Sequence, residues 1–344
     1  MTASRLDPGH FRVTVRYGFG IASPEAEIEV DEATVRALLA AQHADLAGLP
    51  LRLVGAGWDN ILWRVGDDLV VRLPRREAAA ELLLHEQRWL PELARVLPLP
   101  VPAPLRTGHP NAVYPWAWSV VPWIEGVPGD RVTSIDPAAT AERLGRFLRA
   151  LHQPASPAAP TSRWRGVALA RRTDTFEERL DTLAGEIEAD RLRAVWREAL
   201  DAPAFEGPPR WLHGDLHPAN TLFQDATLAA VIDFGDVCAG DPATDLAAAW
   251  MLLPGPSIPD FFDAYGAESD GGGLYRRAIG WAVLFALMLL QIGLDDKPSY
   301  ATVARATIER LGAGSDGGTP IHRRPRRSDP MGASLGQVPT EPGS

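Results

Sequence analysis

The sequence predicts an α+β fold in two lobes, strand-rich at the N-terminal end and mainly helical towards the C-terminus. Three observations predict it. Short strand-like runs cluster before residue 123, and helical periodicity dominates after about residue 136. Between them lies a connector punctuated by proline and glycine, "EGVPGD". The expected division is 1–122 for a nucleotide-binding N-terminal lobe, 123–312 for the hinge and helical lobe, and 313–344 for a tail.

Each element has its own signal. "FRVTVRYGF" alternates loosely and reads as a strand. "DEATVRALLAAQHADL" carries acidic residues in its first turn, a helix-start signal. "LRLVGAG", "NILWRVG" and "DLVVRLP" read as three short strands, the last two joined by a hairpin turn at "VGDDLV". "EAAAELLLHEQRWLPELARVL" reads as a helix and "AWSVVPWIEG" as a strand. Then the pattern becomes mostly helical, over "PAATAERLGRFLRALHQ", "TFEERLDTLAGEIEADRLRAVWREAL", "ATDLAAAWMLL", "PDFFDAYG" and "SYATVARATIERLGA". From about 313 the chain turns to Gly, Ser, Pro and Arg with little apolar side chain to bury, which predicts disorder.

Composition narrows the function classes. The 344 residues are 46% apolar and 23% charged, ordinary for a globular chain. A net charge of −10 argues against nucleic acid as partner. The single cysteine, Cys238, excludes an intrachain disulfide and a thiolate-rich zinc site. "MTASRLDPGHFRV" has no apolar core of signal-peptide length, so the expected location is cytoplasmic. The longest apolar run, 278–294, is short for a span and is broken by Gly280, Gln291 and Gly293. It reads as a buried core helix, and no membrane partner is expected.

Chemistry concentrates in "WLHGDLHPANTLF" (211–223) and "VIDFGD" (231–236), which bring together His213, Asp215, His217, Asn220, Asp233 and Asp236. Such a set binds metal, does acid–base chemistry, or both. Pro218 breaks helix and places the first motif on a loop. "TLF" and "LAAVIDF" read as strands joined by a turn at "QDA". A hairpin there brings Asn220 and Asp233 to one end. An amide oxygen and a carboxylate suit Mg2+, which prefers few protein ligands plus substrate phosphates. Asp215 is then left free as a general base. His217 reads as a packing or hydrogen-bonding residue, and Asp236 and Asp241 as backbone caps.

"HGDLHPAN" followed by "IDFGD" resembles the catalytic and metal-binding loops of the aminoglycoside phosphotransferase family, small-molecule kinases with a protein-kinase-like fold. The resemblance covers about residues 30–312 and includes "GAGWDNILWRVGDDLVVRLP". It implies that Asp215 is the catalytic aspartate and that Asn220 and Asp233 hold Mg2+. It implies that His213 is structural and that Asp245 ties down the loop backbone. It implies a hinge at "VVPWIEG", where backbone of Val121 to Trp123 meets the nucleobase of ATP or GTP.

One departure from the protein-kinase pattern stands out. A lysine on the third strand normally holds the phosphates, but Lys297 is the only lysine here. Arg72 occupies the matching place, and its fork of donors suits phosphate. Leu82, Glu86, Leu90, Leu93 and Leu97 form a helical stripe, so Glu86 faces inward and needs a cation, with Glu81 as runner-up. Gly55 and Gly57 offer backbone N–H groups to phosphates, or simply form a hairpin turn.

The acidic residues Asp260, Asp263, Glu268, Asp270, Asp295 and Asp296, with the overall charge, lead to the expectation of a cationic acceptor. An aminoglycoside or similar basic natural product fits, which would make the activity one of antibiotic resistance. Two rival readings are a metal-dependent hydrolase using His213, Asp215, His217 and Asp233, and a non-catalytic nucleotide-binding module.

Overall fold

Residues 25–266 and 272–313 are described in a computed structural model. The strand expected within 11–19, the tail beyond 313, and Glu268 and Asp270 lie outside the described residues.

The N-terminal lobe is one antiparallel sheet of five strands. β1 (Leu51–Ala56), β2 (Asn60–Val65) and β3 (Leu69–Pro74) follow as hairpins, and β4 (Arg106–Gly108) and β5 (Trp118–Pro122) return later. The order is β1-β2-β3-β5-β4, so β3 is central. Successive side chains on a strand point to opposite faces. Val71 and Leu73 pack against Val35, Leu38 and Leu39 of helix α1 (Glu32–Gln42), while Arg72 points to the other face. That face is covered by α2 (Glu77–Leu93), which buries Ala79, Leu83, Glu86, Leu90 and Leu93. Asp31 caps α1 by accepting the Thr34 N–H at 2.8 Å.

The lobes do not divide cleanly at the hinge. Leu90, Leu93, Leu99 and Val101 belong to the core of the C-terminal lobe, so the end of α2 is anchored below. The helix stops at Leu93 rather than continuing to Leu97.

After the two-residue strand β6 (Val127–Pro128), the C-terminal lobe starts with α3 (Pro137–Leu151). The helical stretch over 175–200 holds two helices, α4 (Thr173–Thr182) and α5 (Ala189–Leu200). Phe176, Leu180 and Leu183 are buried, and so are Leu192, Val195, Trp196 and Ala199. At about 100° per residue, Leu192 falls half a turn out of phase with Leu183. A continuous helix would expose one set. The break near Gly185 lets both segments pack on the same partner, α9.

The catalytic segment is built from small sheets. β7 (Arg210–Leu212) pairs with β10 (Cys238–Gly240), and β8 (Thr221–Gln224) pairs with β9 (Thr227–Val231) as the expected hairpin, with β6 alongside. Asp225 and Ala226 turn it with positive φ. The short helices α6 (Ala243–Leu246) and α7 (Ala248–Leu252) follow, then α8 (Ile258–Tyr265). α9 (Gly273–Asp295) is long and apolar enough to cross a membrane, yet 72% of its most apolar stretch is buried inside the fold. It packs on α4, α5, α6 and α10 (Pro298–Ala313), the behaviour of a core helix.

Candidate active site

The loop between β7 and β8 is held from below by one buried carboxylate. Asp245, on α6, is fully buried. Its Oδ2 accepts the His213 N–H at 2.7 Å and its Oδ1 accepts the Gly214 N–H at 2.9 Å. Gly214 has φ +85°, and a Cβ there would overlap the Asp236 carbonyl oxygen, so only glycine fits. His213 is fixed by two backbone contacts. Its Nδ1 accepts from the Asp215 N–H (3.2 Å), which leaves Nε2–H to donate to the Ile232 carbonyl (2.9 Å). With both ring nitrogens engaged, His213 is not a metal ligand.

The hairpin brings Asn220 and Asp233 together. The Ile232 N–H donates to the Asn220 carbonyl at 2.9 Å, and Thr221 pairs with Val231. Asn220 Nδ2 donates to the Asp215 carbonyl at 2.9 Å, which leaves its Oδ1 available. Asp233 has φ +64°, an uncommon backbone state outside glycine, and presents a half-exposed carboxylate. One amide oxygen beside one open carboxylate fits the sparse protein ligation that Mg2+ takes. Among the described residues no group of three His, Cys, Asp or Glu side chains is placed to hold a metal.

The N-terminal lobe meets this site through Arg72. Its Nη1 donates to Glu86 Oε1 at 2.7 Å and its Nη2 to Asp233 Oδ1 at 3.1 Å. Glu86 is 2% exposed; burial pushes its carboxyl up, against the pull of Arg72. The Phe234 N–H also donates to Glu86, at 3.0 Å. One carboxylate thus ties β3, α2 and the 231–236 loop together. Glu81, the alternative partner, is exposed.

Other expected contacts are less open. The Gly57 N–H is taken by the Asn60 carbonyl (2.7 Å), as in a plain hairpin turn. Gly55 lies at a register shift in β1. At the hinge, Val121 pairs with Val70 inside the sheet, and the Trp123 N–H donates to the Asp68 carbonyl at 2.7 Å. Lys297, between α9 and α10, reaches across the lobes. Its Nζ lies 5.9 Å from the Trp58 ring and 5.0 Å from the Tyr300 ring.

Sequence reasoning missed Arg165. It lies in the irregular segment "SRWRG", and its Nη2 donates to Asp215 Oδ1 at 2.6 Å. Burial alone would raise the Asp215 carboxyl. The Arg165 guanidinium, and then His217, overcome this and hold it well below the usual carboxylate range. Asp236 shifts the other way. Burial, then the Asp215 carboxylate, push it up to about 6, with Asp233 and Asp59 adding to this and Arg165 opposing it.

Comparisons with known proteins bear on the family and the fold. Residues 50–281 match the sequence model described as the phosphotransferase enzyme family. A homoserine kinase of Beijerinckia indica is 34% identical over 173 residues, covering 46% of this chain and 50% of that one, so the chain spans about half of that relative's length. A viomycin phosphotransferase of Streptomyces vinaceus is 32% identical over 201 residues, 54% of this chain and 67% of that one. The fold matches a GDP complex of an aminoglycoside 2'-phosphotransferase with a TM-score of 0.63 at 19% identity, covering 83% of this chain and 100% of that chain. It also matches a macrolide 2'-phosphotransferase from Brachybacterium faecium, with a TM-score of 0.54 at 27% identity over 85% of this chain and 100% of that chain. The two-lobed, kinase-like fold is therefore shared, and with the matched segment spanning more than half of its length, the chain belongs to the phosphotransferase enzyme family.

Proposed function

We propose that this phosphotransferase moves the γ-phosphoryl group of a nucleoside triphosphate, ATP or GTP, to a hydroxyl of a small molecule. The observation that carries the reading is the bond from Arg72 to Asp233, which joins the phosphate-holding cation of one lobe to the metal carboxylate of the other. Mg2+ would be held by Asp233 and Asn220 Oδ1, and when bound it neutralises charge on the phosphates. Arg72 orients those phosphates from above, kept in place by Glu86. His213 and Asp245 fix the backbone that carries Asp215. Catalysis is then mostly positioning and electrostatics.

Asp215 receives the acceptor hydroxyl. A carboxyl held well below its ordinary range is a weak base, so it orients the hydroxyl first and accepts the proton late. That order suits the loose transition state of phosphoryl transfer, in which the nucleophile needs little prior activation. The use of a nucleoside triphosphate supports a cytoplasmic site of action.

The expectation of an aminoglycoside-like acceptor rests on acidic residues. Asp260, Asp263, Asp295 and Asp296 are all exposed, consistent with general steering by the overall charge. The cation paired with Asp215 is Arg165, and it bears on the acceptor class below. The test is nucleotide binding with and without Mg2+, followed by transfer of labelled γ-phosphate to a panel of hydroxylated compounds. Mg2+-dependent binding and a labelled product are expected. Binding without transfer to any acceptor would support a non-catalytic module, and no nucleotide binding would refute the proposal.

A further inference from the structure

A second cationic centre lies beside Asp215, and nothing in phosphate binding by Arg72 requires it. Arg172, at the end of the short turn Leu169–Arg172, is only 5% exposed. Among the described residues its guanidinium makes no hydrogen bond and no ion pair, and its Nε is buried without an acceptor. Its guanidinium lies over the Trp164 ring, 4.7 Å from Cζ to the ring centroid. A buried cation without a counter-charge is strongly unfavourable, and an arriving anion would relieve that cost.

The neighbours sharpen the point, because they are cations too. Burial and then the charge of Arg165 lower the proton affinity of both Arg172 and Arg179, and Arg163 adds to this at Arg172. Arg179, on α4, donates to the neutral Gln291 Oε1 at 2.7 Å and has no carboxylate partner among the described residues. Arg165 stacks over Phe285 of α9 at 4.9 Å, and its Nε is also buried without an acceptor. The backbone under Arg165 is rigid. Gly166, at φ +67°, packs directly on Gly240, and the Asp241 N–H donates to its carbonyl at 2.9 Å.

The two oxygens of Asp215 face different partners. Oδ2 faces His217 (3.4 Å) and Asn220 Nδ2 (3.5 Å), on the metal side. Oδ1 faces Arg165. A hydroxyl bound at Asp215 from the side opposite the phosphates therefore meets the arginine group.

We propose that Arg165, Arg172 and Arg179 form an oxyanion site for the acceptor, and that the acceptor is a hydroxylated acid, bearing a carboxylate or phosphate, rather than a polycation. The inference rests on the kinase reading above. When the acid binds, its anionic group supplies the counter-charge that Arg172 lacks, and Arg165 turns part of its charge from Asp215 to the acceptor. The carboxylate is then released to hold the hydroxyl.

The same oxyanion chemistry could come from the donor's γ-phosphoryl group, and inorganic sulfate separates the two sources. Calorimetry on the full chain at constant ionic strength measures sulfate binding with and without Mg2+ and a saturating non-hydrolysable ATP analogue. The expected result is one saturable sulfate site, with affinity changed less than about threefold by the nucleotide. That affinity should fall at least tenfold in Arg172→Gln, and less in Arg172→Lys, which keeps the charge. Arg179→Gln, at a half-buried position, should also weaken sulfate and serves if Arg172→Gln does not fold. No saturable site, or equal affinity in wild type and variants, overturns the proposal. Competition between sulfate and nucleotide assigns the arginines to the γ-phosphate and overturns the acceptor assignment. A wild-type chain that binds sulfate but no nucleotide refutes the kinase reading itself, and the acceptor assignment with it.

Discussion

Replacing Arg72 with methionine strips the counter-charge from Glu86, whose side chain is 2% exposed. Glu86 keeps one hydrogen bond, from the Phe234 N–H, which does not replace a guanidinium. Breaking a buried pair from one side costs about 3–5 kcal/mol. The second arm, to Asp233, adds little, because that carboxylate is 53% exposed and solvent screens it. With roughly 2–4 °C of melting temperature per kcal/mol for larger domains, Arg72→Met should lower Tm by about 10 °C. Adding Glu86→Leu removes the orphaned charge and should recover more than half of that loss. It should not recover nucleotide binding, because the cation proposed to hold the phosphates is still missing. The assay is thermal denaturation of both variants with calorimetry against Mg2+ and nucleotide. If the double variant is as unstable as the single one, Glu86 is not the source of the cost. If Arg72→Met binds nucleotide like the wild type, another group holds the phosphates.

Three further outcomes follow from the site. Asp215→Asn should keep nucleotide affinity and lose at least about two orders of magnitude in turnover, the scale of general acid–base help; near wild-type turnover would exclude the role. Asp233→Ala should lose Mg2+-dependent nucleotide binding while Asp215→Asn keeps it, which calorimetry with and without Mg2+ distinguishes. Asp236 has a folded pKa of about 6, above its ordinary value, so the stability it contributes is full below about pH 3.9 and is lost as pH rises through 6. In chelator, Tm of the wild type should therefore fall between about pH 4 and 6 relative to Asp236→Asn and level off above that, and parallel curves would contradict the assigned shift.

Much of this site was readable because it is local. "DLHPAN" and "IDFGD" flank a hairpin only a few residues long, so their meeting follows from strand pairing alone. Glu86 was readable because it interrupts an apolar stripe of helical period. Arg165 and Arg172 were not. They lie in "SRWRGVALARR", which has neither strand nor helix period, and the place of Arg165 beside Asp215 depends on Gly166 seating against Gly240 more than seventy residues later. The break between α4 and α5 was hidden for a related reason. Each half has good helical periodicity, and only the phase slip around Gly185, set by a common partner helix, separates them. Gly57 was ambiguous, since a glycine between strands suits phosphate contact or a turn, and here its amide serves the turn.

The contact of Lys297 with Trp58 has a practical side. A chain whose only lysine lies at the seam between its lobes carries one side-chain amine, already addressed. Ordinary acylation or reductive methylation would tag that side chain, without any engineered cysteine. An isotope label on the Lys297 methyls would sit within the shielding field of two aromatic rings, one from each lobe. Its resonance would move when the lobes part, so the opening and closing of the cleft can be followed in the unaltered sequence.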